Sequence, residues 1–180
     1  MFKHHLHIYQ KPKAGNNFLR RLQVYNYRHT IAATGWFDTA SCDVAVPIDE
    51  AEQFLDQFIG NRVAVYVDNP VEAVWEGFIN RMTFAGSGYS YTVSLDEMVN
   101  RAGVIYSTSS VNTTPAETSV DNNTDSQSIY GIKAGRIELG FEGATTSPTN
   151  LRNTVLAQRA WPQKSIAQGS GNGLITLELL

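Results

Sequence analysis

The sequence predicts a mainly β fold with minor α: a small antiparallel β-barrel with a covering helix, a polar arm, and a second, partial β/α segment. Three observations predict it. Short runs rich in Val, Tyr, Phe and Thr recur between Gly-, Asn- and Pro-containing turns up to Ser94. Within that stretch one segment switches to helical spacing. Beyond Tyr106 the apolar residues thin into a tract of Ser, Thr, Asn and Asp.

Residues 2–9 and 18–29 read as strands around a turn holding Pro12 and Gly15. Leu22-Gln23-Val24-Tyr25-Asn26-Tyr27 alternates apolar and polar residues, which places them on opposite faces. Residues 37–47 form a third strand, with Cys42, Val44 and Val46 on one side. The period then changes: Ala51, Phe54, Leu55, Phe58 and Ile59 draw one helical stripe. Asp49 is the expected N-cap, Glu52 its capping-box partner, and Gly60 the C-terminal stop. Three meander strands follow, at 62–67, 73–84 and 89–94, turning at Asp68-Asn69-Pro70 and Ala85-Gly86-Ser87-Gly88. Six strands and one helix suit a closed or nearly closed barrel whose helix covers an open end.

Ser94 then reads as the cap of a short helix, with Glu97 three residues on, Leu95, Met98 and Val99 sharing a face, and Gly103 ending it. Residues 107–128 have almost nothing to bury, so they are expected to be a flexible linker or an arm ordered by a partner. Residues 129–132 and 136–141 read as strands, and Leu151, Val155 and Leu156 mark a helix that ends at Trp161-Pro162. Residues 174–180 read as a strand left for a neighbour, or a continuing chain, to complete. The expected division is a barrel at 1–106, an arm at 107–128, and a segment at 129–180 that could begin another barrel.

The bulk composition narrows the function classes. The chain has 180 residues, of which 42% are hydrophobic, enough for a core. Charged residues make up 17%, below the usual ~25%, and short polar side chains take their place. Such a surface suits β proteins packed against copies of themselves. Net charge is −3, although no acidic residue precedes Asp38 while Lys3, Lys11, Lys13, Arg20, Arg21 and Arg28 do. No specific nucleic-acid binding is expected of that balance. The N-terminus lacks a signal peptide's apolar core, and no apolar run approaches the ~20 residues that span a bilayer. Synthesis in a cytoplasm without a direct membrane anchor is therefore expected.

Residue chemistry selects no catalytic, cofactor or metal site. Cys42 is alone, which precludes an internal disulfide, and its strand position suits a small buried residue. His5 and His7 share a strand face that His4 opposes, with no acidic or thiol ligand near. Asp121-x-Asn123-x-Asp125 opens like a calcium loop, but Ser126 and Ile132 stand where Gly and Glu would be needed. Gly86-Ser87-Gly88 is a turn and not a phosphate cradle, and no nucleophile elbow is present. Asp96 and Glu97 are adjacent, and so are poorly placed as paired carboxylates. Trp36, Trp75, Trp161 and the tyrosines could stack on sugars, yet aromatics spread over separate strands more often pack in cores.

Several segments together resemble the N-terminal part of tailed-bacteriophage tail proteins, closest to the tail-tip or baseplate-hub family. They are Val74-Trp75-Glu76-Gly77-Phe78-Ile79, Ser94-Leu95 through Asn100-Arg101, the polar arm, Ser128-Ile129-Tyr130-Gly131, and Leu156-Ala157 through Trp161-Pro162 with the Gly-rich stretch and Leu-Glu strand after it. The likeness covers most of the chain in short, degenerate motifs. It implies a non-enzymatic structural virion protein without cofactors, made in the bacterial cytoplasm and self-associating around the tail axis. A homo-trimer is favoured and a hexamer is the alternative, with tail-tube, distal-tail or spike proteins as neighbours. Ring order, tail type, host, and the number of barrels per subunit stay open. A carbohydrate-binding module or a tail-associated hydrolase is the alternative function. The hydrolase would need a pocket joining distant His, Ser and carboxylate residues.

Overall fold

The computed structural model describes residues 3–11, 16–32, 37–68, 72–108, 115–141 and 146–180. The expected turns at Pro12, Gly15, Asn69 and Pro70 lie outside these residues, as does Trp36. The chain divides into two compact units, one of residues 1–96 with 163–180 and the other of residues 97–162.

The first unit holds a closed six-strand antiparallel barrel. Its strands run β1 (His4–Tyr9), β2 (Phe18–Ile31), β3 (Phe37–Val44), β4 (Arg62–Val67) and β5 (Ala73–Ala85), with α1 (Ala51–Phe58) between β3 and β4. After β5 come β6 (Ser87–Ser94), and later β11 (Gln163–Ser170) and β12 (Ile175–Leu179). The ring closes in the order β5, β12, β3, β2, β1, β4 and back to β5. Its sixth strand is therefore β12 and not the expected β6. Leu177 pairs with Cys42 on one side and Met82 on the other, burying Ile175, Leu177 and Leu179. Their alternation with Thr176 and Glu178 is that of a half-buried strand. This strand is completed inside the chain, so residues 129–180 do not form one segment, and β12 closes the barrel of the first unit.

β5 is long enough to serve two neighbours along one edge. Its first half pairs with β4 and its second half with β6. Leu6, Ile8, Val44, Val63, Val65, Trp75, Ile79 and Met82 fill the lumen. A Cβ at Gly77 would overlap the Trp75 indole and the Leu180 carbonyl, so glycine here is what lets the indole lie along its own strand. The aromatic strand motif thus has a packing role. α1 rests against β5 and β6 through Ala51, Phe54, Leu55 and Phe58. Its N-cap is Glu50 rather than Asp49, and no side chain caps it, so the capping box does not form. Gly60 does end the turn, at φ +78°, donating its N–H to the Ile79 carbonyl at 2.9 Å.

The second unit is built from β7 (Arg101–Ser107), β8 (Pro115–Glu117), β9 (Asp121–Asn122), α2 (Thr124–Tyr130), β10 (Ala134–Phe141) and α3 (Thr146–Arg159). β10 runs parallel to β7, β8 and β9 pair with β7 antiparallel, and α3 packs on β7. Three expectations are corrected here. Residues 95–100 form no helix: Ser94 Oγ accepts from the Asp96 N–H at 3.1 Å and donates to its carboxylate at 2.8 Å, closing a turn instead. The described part of the arm is folded, because β8 pairs with β7 and Thr118 Oγ1 accepts the Val104 N–H at 3.0 Å. Residues 129–132 are not a strand, since Asn123 caps α2 through Ser126 and that helix runs to Tyr130.

Candidate assembly surface

β6 and β11 pair along their whole length, from Gln163 opposite Ser94 to Ser170 opposite Ser87. This two-stranded flap continues from the second half of β5, and among the described residues β11 pairs with β6 alone. Among the described residues no strand covers its other edge, and an uncovered edge is the standard template for adding a strand. β11 has a low-charge sequence, Gln-Lys-Ser-Ile-Ala-Gln-Gly-Ser, whose one cation, Lys164, is held by Asp56 at 2.7 Å. That hydrogen bond raises the Lys164 pKa. Ile166 is 75% exposed at the strand's centre.

Beside it lies a hollow of about 200 Å³ lined by Ile48, Asp49, Ala51, Glu52, Phe84, Tyr89, Tyr91 and Ile166. Ile48 is 69% exposed and Tyr89 also faces solvent. Asp49 and Glu52 stand at the entrance of α1, where the helix dipole favours acidic side chains. Sequence reading missed β11 because its only large apolar residue, Ile166, points away from any core.

A second hollow, about 400 Å³, is also on the first unit and is lined by residues including His29, Ser41, Asp96 and Glu178. These are the residue types that a hydrolase would need from distant segments. Their arrangement is not that of a relay. Arg28 pairs with Ser41 and His29 with Ala40, so alternation turns Ser41 and His29 to opposite faces of the hairpin. Arg81 binds Asp96 at 2.6 Å and Glu178 at 3.6 Å, and Asp96 also accepts from Asn80 and Ser94. The second unit has its own groove, of about 320 Å³, whose lining includes Arg101, Arg136 and Glu117.

The remaining candidates fall apart in space or into structural roles. His4 meets Tyr27 with ring centres 4.9 Å apart, whereas His7 contacts Tyr66 and Phe18 at 4.6 and 5.3 Å. Among the described residues no group of three or more His, Cys, Asp or Glu could hold a metal ion. Asn123 caps α2, and Asp121 lies 3.4 Å from Arg152. Cys42 is buried in the barrel, and burial, with Asp43 adding to it, pushes its thiol up to about 12. Tyr9 is also raised to about 12, by desolvation first and its bond to Tyr66 second. Trp75 is core, whereas Trp161 is partly exposed and meets Tyr130 edge-on at 6.4 Å. Among the described residues no helix is long and apolar enough to cross a membrane.

Asn100 was missed as a site residue altogether. It is fully buried and donates to Ser126 Oγ at 3.1 Å and to the Gly131 carbonyl at 2.8 Å, while its own oxygen accepts from Lys133 N–H at 2.7 Å. It thus ties residues 94–101 to Ser126 and to residues 128–131 and 133. No family model, curated protein or solved structure matches the chain.

Proposed function

We propose that this chain is a structural virion protein of a phage tail tip or baseplate hub, self-associating around the tail axis to close or extend the tail tube. The observation that carries the reading is a closed barrel that extends into a flap with an open, low-charge edge and an exposed isoleucine at its centre. A barrel removes strand edges, and the flap restores one, which suits a module that adds strands between subunits. The sparse charge of the chain, 17%, means few ions to desolvate on packing. The sequence likeness adds the identity of the assembly, and its motifs fall on packing residues such as Trp75, Gly77 and Asn100. It favours a trimer over a hexamer, next to tail-tube, distal-tail or spike proteins, in virions put together in the bacterial cytoplasm.

Light scattering on the purified chain, with electron microscopy of the same sample, tests this. Rings of three or six copies are expected. A chain that stays monomeric at high concentration would remove the assembly reading.

A further inference from the structure

We infer that the hollow between Ile48 and Ile166 receives the outer face of β2 from a second copy of this chain, in a head-to-tail contact. The inference rests on the self-associating role proposed above and names the surfaces that would carry it. On β2, Leu19, Arg21, Gln23 and Tyr25 alternate onto one side and all are exposed, Leu19 and Tyr25 by 43% each. Phe18, 54% exposed, stands at the start of the same strand. The stripe is therefore apolar at both ends and cationic between them. Arg21 has no ion pair among the described residues. Its charge is felt by His5 and His7, whose protonation it opposes after desolvation has already done so.

The hollow is the converse. Its walls are apolar, through Ile48, Tyr89 and Ile166, and its rim is acidic, through Asp49 and Glu52. Neither carboxylate has an ion pair among the described residues. Arg20 and Lys164 already neutralise the neighbouring Glu50 and Asp56, at 3.7 and 2.7 Å. An apolar hollow with two spare anions thus matches an apolar stripe with a spare cation. Two copies meeting by the same face would instead oppose Arg21 to Arg21, or Glu52 to Glu52.

The strand order adds a direction. β2 and β5 are three steps apart either way around the six-strand ring, so they form opposite walls. The flap continues from β5, while the stripe lies on β2. A contact joining unlike walls leaves one free partner surface on each terminal copy, which propagates into a ring or a chain.

Sedimentation equilibrium of the full chain tests the contact with exposed substitutions that leave the barrel intact. Arg21→Glu, and separately the pair Asp49→Lys with Glu52→Lys, should each weaken self-association by about tenfold or more, since like charges then face each other. An equimolar mixture of the two reversed chains should regain most of the association, because each now complements the other. If the native chain associates but the reversals are silent, or the mixture is no better than its parents, the surfaces are wrong and the tail-tip reading survives. If the native chain is monomeric at every concentration, both fall together.

Discussion

The two units solve the problem of holding a chain together with different materials. In the barrel, β1, β3 and β12 alternate, and the lumen is filled by Leu6, Ile8, Val63, Val65, Trp75, Ile79, Met82 and Leu177, so burial of apolar surface carries most of the stability. In the inserted unit the apolar core is small, chiefly Met98, Ala102, Val104, Tyr106, Leu156 and Ala160. Polar groups are buried among it: Asn100, Thr118, Ser126 and Arg152. Ser126 Oγ donates to the Ala160 carbonyl, and Gln127 Nε2 donates to that of Asn100 at 2.9 Å. Arg152 donates to the Ser119 carbonyl and hydroxyl at 2.7 and 2.9 Å. A satisfied network of this kind specifies one arrangement, but it concentrates the cost of any error, because each orphaned group loses its partner without regaining water.

The largest effect should come from removing residues 108–125. The deletion takes away β8, β9, the Thr118 bond to Val104 and the Asn123 cap, so the inserted unit should lose its cooperative structure. Hydrogen exchange read by mass spectrometry should then show β7 and β10 unprotected while β1–β5 stay protected. Protection retained in β7 would mean that the polar segment is dispensable after all.

Next, the two kinds of core can be set against each other. Trp75→Ala should cost the barrel about 3–5 kcal/mol by leaving a cavity. Asn100→Ala removes far less volume, yet it strands the Gly131 carbonyl and the Lys133 N–H and takes a donor from Ser126 Oγ, so a cost of about 3 kcal/mol or more is expected from the lost bonds alone. Denaturant titration of both variants decides the matter. A cost below about 1 kcal/mol for Asn100→Ala would show that water replaces the side chain, as its net hydrogen-bond value would then suggest.

The smallest effect is that of pH. His5 and His7 both have pKa values lowered from 6.5, first by desolvation and then by Arg21. The unfolded chain therefore binds protons there before the folded one does. Their contribution is present in full above 6.5 and is lost as pH falls through that value toward the lowered folded pKa values. Thermal melts across this window should show a modest loss that the His5→Gln, His7→Gln double variant reduces. An undiminished loss in that variant would assign it to other groups.

The same contrast explains what the sequence could reveal. The barrel strands and α1 were legible where burial imposes a period, as in Ala51 to Ile59, whereas the alternation read over Leu22 to Tyr27 holds to Tyr25 and breaks at Asn26, at φ +51°. β12 was legible as a strand but not as the barrel's closing member, since pairing with β3 and β5 is a long-range choice that leaves no local mark. β11 and α2 were illegible for another reason. Their residues are fixed by partners, Ser94 to Ser87 across the flap and Asn123 at the helix start, and not by a buried stripe. Ser94 misled because its hydroxyl caps a turn as readily as a helix. The candidate surface shared that fate, since an exposed Ile166 in a polar strand reads as noise until the open edge beside it is seen.

One measurement bears most directly on the claim that the barrel unit is a self-contained body carrying its own assembly surface. Ser94 and Gln163 are cross-strand partners, so residues 97–162 can be replaced by an Asn-Gly pair, closing a hairpin loop of about four residues after Asp96. Sedimentation velocity of the shortened chain reports compactness and association together. A compact species whose sedimentation coefficient rises with concentration is expected. An expanded chain would contradict the division into units, and a compact monomer at every concentration would contradict the placement of assembly on the barrel.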